Sequence, residues 1–274
     1  MIVSHQHRFI FLHSRKTAGS AVTLALLQHL TPDDWWLNAP AYHILSEALQ
    51  SGFVPPPARH PAVREALAEQ AGARFARRAF RRPARLDQAG RRAFAQAYNS
   101  CQLPYPKDGG GWQHVGAASA SRHLGPEVWN SYFKFAFERN PWDRMVSLYW
   151  WRMRREPDRA KLPPFREFIE AIHAGDQARM RACRATKYSN WHIYTIDDEV
   201  AVDYLGRYES LAEDLRFVRE KVGLPATGGL PRSKHQVRRS GLADLHDPAT
   251  IRLTGEVFHR EIALLGYQPP ARSR

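Results

Sequence analysis

The sequence predicts an α/β fold with a mostly parallel central sheet and a helical insertion. Three observations predict it. Two short apolar runs, Arg8 to His13 and Tyr132 to Phe137, read as strands buried on both faces. Each run feeds a polar loop and then a helix-like segment, the opening of a βαβ unit. A chain of 274 residues with 43% hydrophobic content suffices for one large α/β domain, taken as residues 1–274.

The elements follow in order. After the first strand, Ser14 to Gly19 is a polar turn, and Ser20 to Leu30 is an Ala- and Leu-rich helix stopped by Thr31 and Pro32. Residues 54–92 open on Pro55, Pro56 and Pro57 and continue as Ala/Arg-rich helical sequence. They form the heart of a helical insertion or acceptor-side lid spanning residues 40–105. Lys107 to Gly111 is a flexible glycine loop. The second strand runs into Glu138, Arg139, Asn140, Pro141, Trp142 and Asp143, then a helix reaching Arg154. Asn140 suits the N-cap, Pro141 the first helical position, and Asp143 the positive helix end. A third strand, Val200 to Leu205, leads through Gly206 to Glu209 into a helix from Leu211 to Val222. The last helix, Ala249 to Leu265, ends at Gly266. No internal repeat is visible.

Composition bounds the function. The aromatic content of 11% together with the hydrophobic fraction excludes a disordered or fibrous chain. A net charge of +13 points to anionic partners: nucleotide phosphates, sulfated or carboxylated glycans, nucleic acid, or a membrane surface. The two cysteines, Cys101 and Cys183, exclude a disulfide framework and a cysteine-based zinc cluster. No run approaches the roughly 18 apolar residues of a membrane span. Met1 to Arg8 lacks the apolar core of a secretory signal, so the expected location is cytoplasmic.

The first loop is the sharpest chemical feature. A buried strand ending in Lys16, Thr17, Gly19 and Ser20 before a helix start describes a phosphate cradle. Backbone N–H groups face the anion, Lys16 supplies a cation, and the two hydroxyls donate hydrogen bonds. The Walker spacing is absent, because the lysine precedes the glycine, which weakens a magnesium-dependent triphosphatase. An ordinary polar turn with a solvated lysine fits the same residues. In the second loop, Arg139 ends a buried strand and Ser147 lies two turns into the next helix. An arginine fork and a hydroxyl suit a second phosphate beyond the carboxyl ends of the strands. Pairing of Arg139 with Glu138 or Asp143 is the plainer alternative.

These residues resemble a known family. His13 to Ala21 is similar to the 5′-phosphosulfate-binding loop of sulfotransferases, and Phe135 to Tyr149 to their 3′-phosphate-binding segment. The second likeness is closest to the carbohydrate branch, heparan- and chondroitin 2-O-type. Gly206 to Asp214 and Leu230 to Lys234 resemble its downstream landmarks. Two departures stand out: Arg15 replaces the commoner proline, and Glu138 stands where a small apolar residue is usual. The resemblance implies a P-loop-like three-layer sandwich and the donor 3′-phosphoadenosine 5′-phosphosulfate, with no metal. Arg15, Lys16, Thr17, Ala18, Gly19, Ser20 and Ala21 would hold its 5′ end, Arg139 and Ser147 its 3′-phosphate, and Arg232, Ser233 and Lys234 would close over the nucleotide. Lys16 would also act catalytically, on the charge growing at the leaving phosphate. The acceptor would be a saccharide or other hydroxyl compound, with neither nucleic acid nor a membrane span required.

An acceptor hydroxyl needs a base, and histidine suits neutral pH. His114 is the first candidate, because heparan-type enzymes use a histidine in a similar place; His13, then His123 and Glu138, follow. Trp142, Tyr149, Trp150, Trp151 and Met153 read as core and groove wall, and Trp35 with Trp36 as packing residues. The arginines from Arg74 to Arg92 read as a solvated helix face. Two other functions compete: a nucleotide-dependent small-molecule kinase, and a basic nucleic-acid-binding protein.

Overall fold

The computed structural model describes residues 1–36, 42–101, 114–154, 156–158, 161–225 and 245–270. Its centre is a five-stranded sheet in the order β3-β1-β2-β4-β7, where β1 is Ile2–Ser4, β2 Phe9–Leu12, β3 Trp35–Trp36, β4 Phe133–Glu138 and β7 Tyr204–Arg207. β2 pairs with β4 and β4 with β7 in parallel, while β1 runs antiparallel to both β2 and β3. The sheet is therefore mostly parallel, as the alternating pattern predicts. Among the described residues, no helix is long and apolar enough to cross a membrane.

Side-chain alternation sends each strand's residues to opposite faces of the sheet. Phe9, Phe11, Phe135 and Phe137 pack with α1 (Gly19–Leu27) and the insertion, whereas Ile10, Leu12 and Ala136 pack with α6 (Ala117–Ser131). The insertion comprises α2 (Tyr42–Gln50), α3 (Pro61–Ala71), α4 (Ala73–Arg81) and α5 (Gln88–Ser100), with short 3₁₀ turns at Pro56–Arg59 and Pro83–Arg85. Its buried Leu45, Leu49, Val63, Leu67 and Phe94 join the same core as the phenylalanines, which anchors it to the sheet. A third cluster unites α7 (Pro141–Met153), α8 (Phe165–His173) and α12 (Pro248–Val257). The remaining elements are α9 (Gln177–Ala182), α10 (Trp191–Tyr194), the hairpin β5 (Thr195–Ile196) and β6 (Glu199–Val200), α11 (Leu211–Lys221) and α13 (His259–Leu265).

Several boundaries differ from the sequence expectation. Ile2–Ser4 is a fully buried strand, hidden in sequence by its three-residue length and by the turn that ends at Arg8, whose φ is 50°. The expected strand at Val200 to Leu205 splits. Glu199–Val200 belongs to a hairpin closed by Asp197 and Asp198, both at positive φ, and the sheet strand starts only at Tyr204. The last helix breaks at Phe258 into α12 and α13, and ends as expected at Gly266, φ 61°. Trp36 is buried, and the Tyr98 hydroxyl donates to its carbonyl at 2.8 Å, so this aromatic pair is packing. The glycine loop and Arg232, Ser233 and Lys234 lie outside the described residues.

Candidate functional site

β2, β4 and β7 all end on one edge of the sheet, and the candidate residues gather there. The strand β2 hands over to His13 and the loop that enters α1. Two loop residues, Lys16 and Ala18, adopt the left-handed conformation at φ 63° and 59°. Ala18 is the N-cap and offers no side-chain cap, and the first turn of α1 carries no acidic residue. The Ala21 N–H donates to the Ala18 carbonyl at 2.8 Å, so the N–H groups of Gly19 and Ser20 are those that open onto a loop free of local carboxylates. The Thr17 hydroxyl donates to the Ser14 carbonyl at 3.2 Å, fixing the bend. Ser20 Oγ lies 3.3 Å from His43 Nε2, a partner contributed by α2.

Gly19 is required by a close approach. A Cβ built there would fall 1.9 Å from the His13 ring. That ring stacks on Phe11 at 5.7 Å and meets the His114 ring edge-on at 4.9 Å. The space that glycine leaves is therefore filled by a buried histidine rather than left open to a ligand.

The structure brings His114 to this loop. Its Nδ1 lies 2.7 Å from the His13 carbonyl, which accepts only if Nδ1 carries the proton. The neutral ring then presents a lone pair at Nε2, the form a general base needs. Burial pushes its pKa down to about 3; the bond to the His13 carbonyl opposes this and the Arg15 charge adds to it. The ring therefore stays neutral but is a weaker base than a solvated histidine. His13 is likewise held well below the ordinary histidine range, first by burial and then by His114. His123 is elsewhere, within α6, its Nδ1 bonded to the Ser119 carbonyl at 2.7 Å. Glu138 is completely buried against Arg144, with Nε to Oε1 at 3.1 Å, and is raised above the carboxylate range mainly by that burial.

Arg139 leaves the end of β4 toward the same loop. Its Nη1 donates to the Lys16 carbonyl at 3.2 Å, its Nε to Asp143 at 2.6 Å, and its Nη2 also pairs with Asp143. Tyr208 lies against the guanidinium, 4.0 Å from carbon to ring centroid. The plainer reading of Arg139 as a partner of Asp143 is thus realised, but three of the five N–H groups are used and the fork is aimed at the loop. Ser147 follows Asp143 by one helical turn on α7, on the same face. Asn140 caps that helix, accepting from the Trp142 N–H at 3.1 Å.

Two neighbours, Asn190 and His43, escaped the sequence reading. Asn190 bonds to both backbone groups of Arg15, and Arg15 Nη1 donates to the Ser189 carbonyl at 3.1 Å. His43 reaches Ser20 from the insertion. Trp151, read from the sequence as groove wall, lies against Lys16, with Nζ 5.6 Å from its ring centroid. No motif surrounds Asn190 and His43; only tertiary folding joins them to the loop. Positive charge is concentrated here: burial first, then Arg152 and Arg144, lower the Arg15 pKa to about 10.

Comparison with known proteins bears on this arrangement. A family model described as sulfotransferase family matches residues 1–268. An uncharacterised protein of Archaeoglobus fulgidus is 33% identical over 102 residues, covering 37% of this chain and 77% of its own length. No solved structure matches the chain significantly.

Proposed function

The chain belongs to the sulfotransferase family, and from that premise we propose that it moves a sulfuryl group from 3′-phosphoadenosine 5′-phosphosulfate to a hydroxyl of a saccharide. One observation carries the proposal: the uncapped entry to α1, the Arg139 fork and the His114 ring converge on the loop around Lys16. The fold would be the P-loop-like three-layer sandwich, formed as a single domain.

The residues fit the donor's chemistry. Arg15 to Ala21 would receive its 5′ end, where the helix entry lacks competing carboxylates. The two remaining N–H groups of Arg139, with Ser147, would receive the 3′-phosphate. In the transfer, the acceptor oxygen forms a bond to sulfur while the bond from sulfur to the 5′-phosphate oxygen breaks. The acceptor's proton passes to Nε2 of His114, and the released phosphate oxygen carries the charge that Lys16 balances. Adenosine 3′,5′-bisphosphate leaves. Trp151 beside Lys16 and the His13 ring beside His114 would help to exclude solvent from the transfer.

The test is transfer of radiolabelled sulfate from the donor to a panel of neutral and acidic oligosaccharides, phenols and tyrosine peptides. Labelling of a saccharide that disappears with Lys16→Met supports the proposal. Labelling of phenols alone would overturn the saccharide acceptor, and labelling of nothing across the panel would overturn the activity.

A further inference from the structure

We propose that Glu138 and Asn190 form a buried positioning hub that sets both ends of the donor site, a role that rests on the donor reading given above. Both side chains are completely buried. Asn190 Oδ1 accepts from the Arg15 N–H at 2.8 Å and its Nδ2 donates to the Arg15 carbonyl at 3.1 Å. This two-point lock copies a pair of strand hydrogen bonds onto a loop that has no strand beside it. The same Nδ2 lies 3.3 Å from Glu138 Oε1.

Glu138 completes a circuit. Its Oε1 also accepts from the Arg139 N–H at 2.9 Å, fixing the residue whose guanidinium reaches back to the Lys16 carbonyl. Contacts therefore run from Arg15 through Asn190 and Glu138 to Arg139, and from Arg139 to Lys16, the neighbour of Arg15. The other oxygen, Oε2, accepts from the Tyr194 hydroxyl at 3.2 Å. Arg144 balances the carboxylate and lies 3.8 Å from Glu261. Glu138 is one of the positions at which this chain departs from the resembled pattern, and here an apolar side chain could offer neither Asn190 nor the Arg139 N–H an acceptor.

The circuit has a mechanical purpose. Lys16 sits at φ 63°, a conformation that a side chain-bearing residue holds only when its surroundings impose it. Arg15 is clamped immediately before it and Arg139 holds its carbonyl, so the hub supplies that constraint. Asn190 and Glu138 are completely buried and so would act through the loop rather than on the reacting atoms.

Four proteins test the hub: the unaltered chain, Asn190→Ala, Asn190→Asp and Tyr194→Phe. Hydrogen exchange of residues 13–20 and calorimetric affinity for adenosine 3′,5′-bisphosphate are measured on each. The expected result is faster loop exchange and an affinity loss of about tenfold or more in both Asn190 variants. Tyr194→Phe, which removes a hydrogen bond from Glu138 without touching the loop, should lower thermal stability and change neither readout beyond about twofold. Should Asn190→Ala not fold, Asn190→Asp, nearly equal in volume, carries the comparison. Loop exchange in the Asn190 variants no faster than in Tyr194→Phe overturns the hub. If the unaltered chain binds no bisphosphate, the donor reading falls, and loop exchange alone decides the hub.

Discussion

In the proposed mechanism, Lys16 concentrates the chemistry in one side chain. It follows Arg15 in a loop crowded with positive charge, and its left-handed backbone aims its carbonyl at Arg139. Replacing it with Met keeps the stem and removes the cation. Turnover should then fall by about 10²–10³-fold, the usual cost of one donor aimed at developing negative charge. The fold should persist, with the thermal midpoint close to that of the unaltered chain; normal sulfation kinetics in Lys16→Met would remove the residue from the mechanism. His114 makes a second prediction through pH. An unfolded chain takes up this proton near 6.5, whereas the folded chain resists it down to about 3. Stability is thus fully present above pH 6.5 and drains as pH falls, by about 1.4 kcal/mol per unit for such a histidine. His114→Gln should show a shallower loss of thermal midpoint between pH 7 and 4. An unchanged slope would contradict the buried neutral ring.

At the scale of elements, the entry to α1 depends on Gly19 for a reason no spacing rule contains. The His13 ring occupies the position of a Cβ and is confined between Phe11 and His114. Gly19→Ala should destabilise the protein by about 1–3 kcal/mol, as overpacking does, and turn His114 away from the loop. Chemical denaturation measures the first effect and turnover the second; a fully active, equally stable Gly19→Ala would contradict the packing. The helix α7 presents the opposite case. Its cap, its proline and its acidic first turn are local features, so Asn140, Pro141 and Asp143 announced it in sequence. Locality also explains what was missed. Ile2–Ser4 is too short for a periodic signal, and the split near Val200 turns on Asp197 and Asp198 adopting positive φ. His43 and Asn190 reach the loop from distant segments, where no spacing could reveal them.

Across the whole molecule, the net charge of +13 is unevenly used. Buried cations such as Arg139 and Arg144 are paired at the site, whereas Arg74, Arg77, Arg78 and Arg81 lie exposed along α4 and form no ion pair with a described carboxylate. Binding driven by α4 would fall steeply with salt and survive loss of Lys16, so salt dependence separates a nucleic-acid binder from a donor site. In the proposed function, the loop after β2 holds a nucleoside bisphosphate. Thermal unfolding with adenosine 3′,5′-bisphosphate, set against ATP with magnesium, tests it most directly. A ligand bound only by the folded chain adds about 2.7 kcal/mol at a hundredfold excess over Kd. The midpoint should rise with the bisphosphate, and Arg139→Ala should abolish that rise; a rise with ATP and magnesium alone would contradict the donor site and favour a kinase.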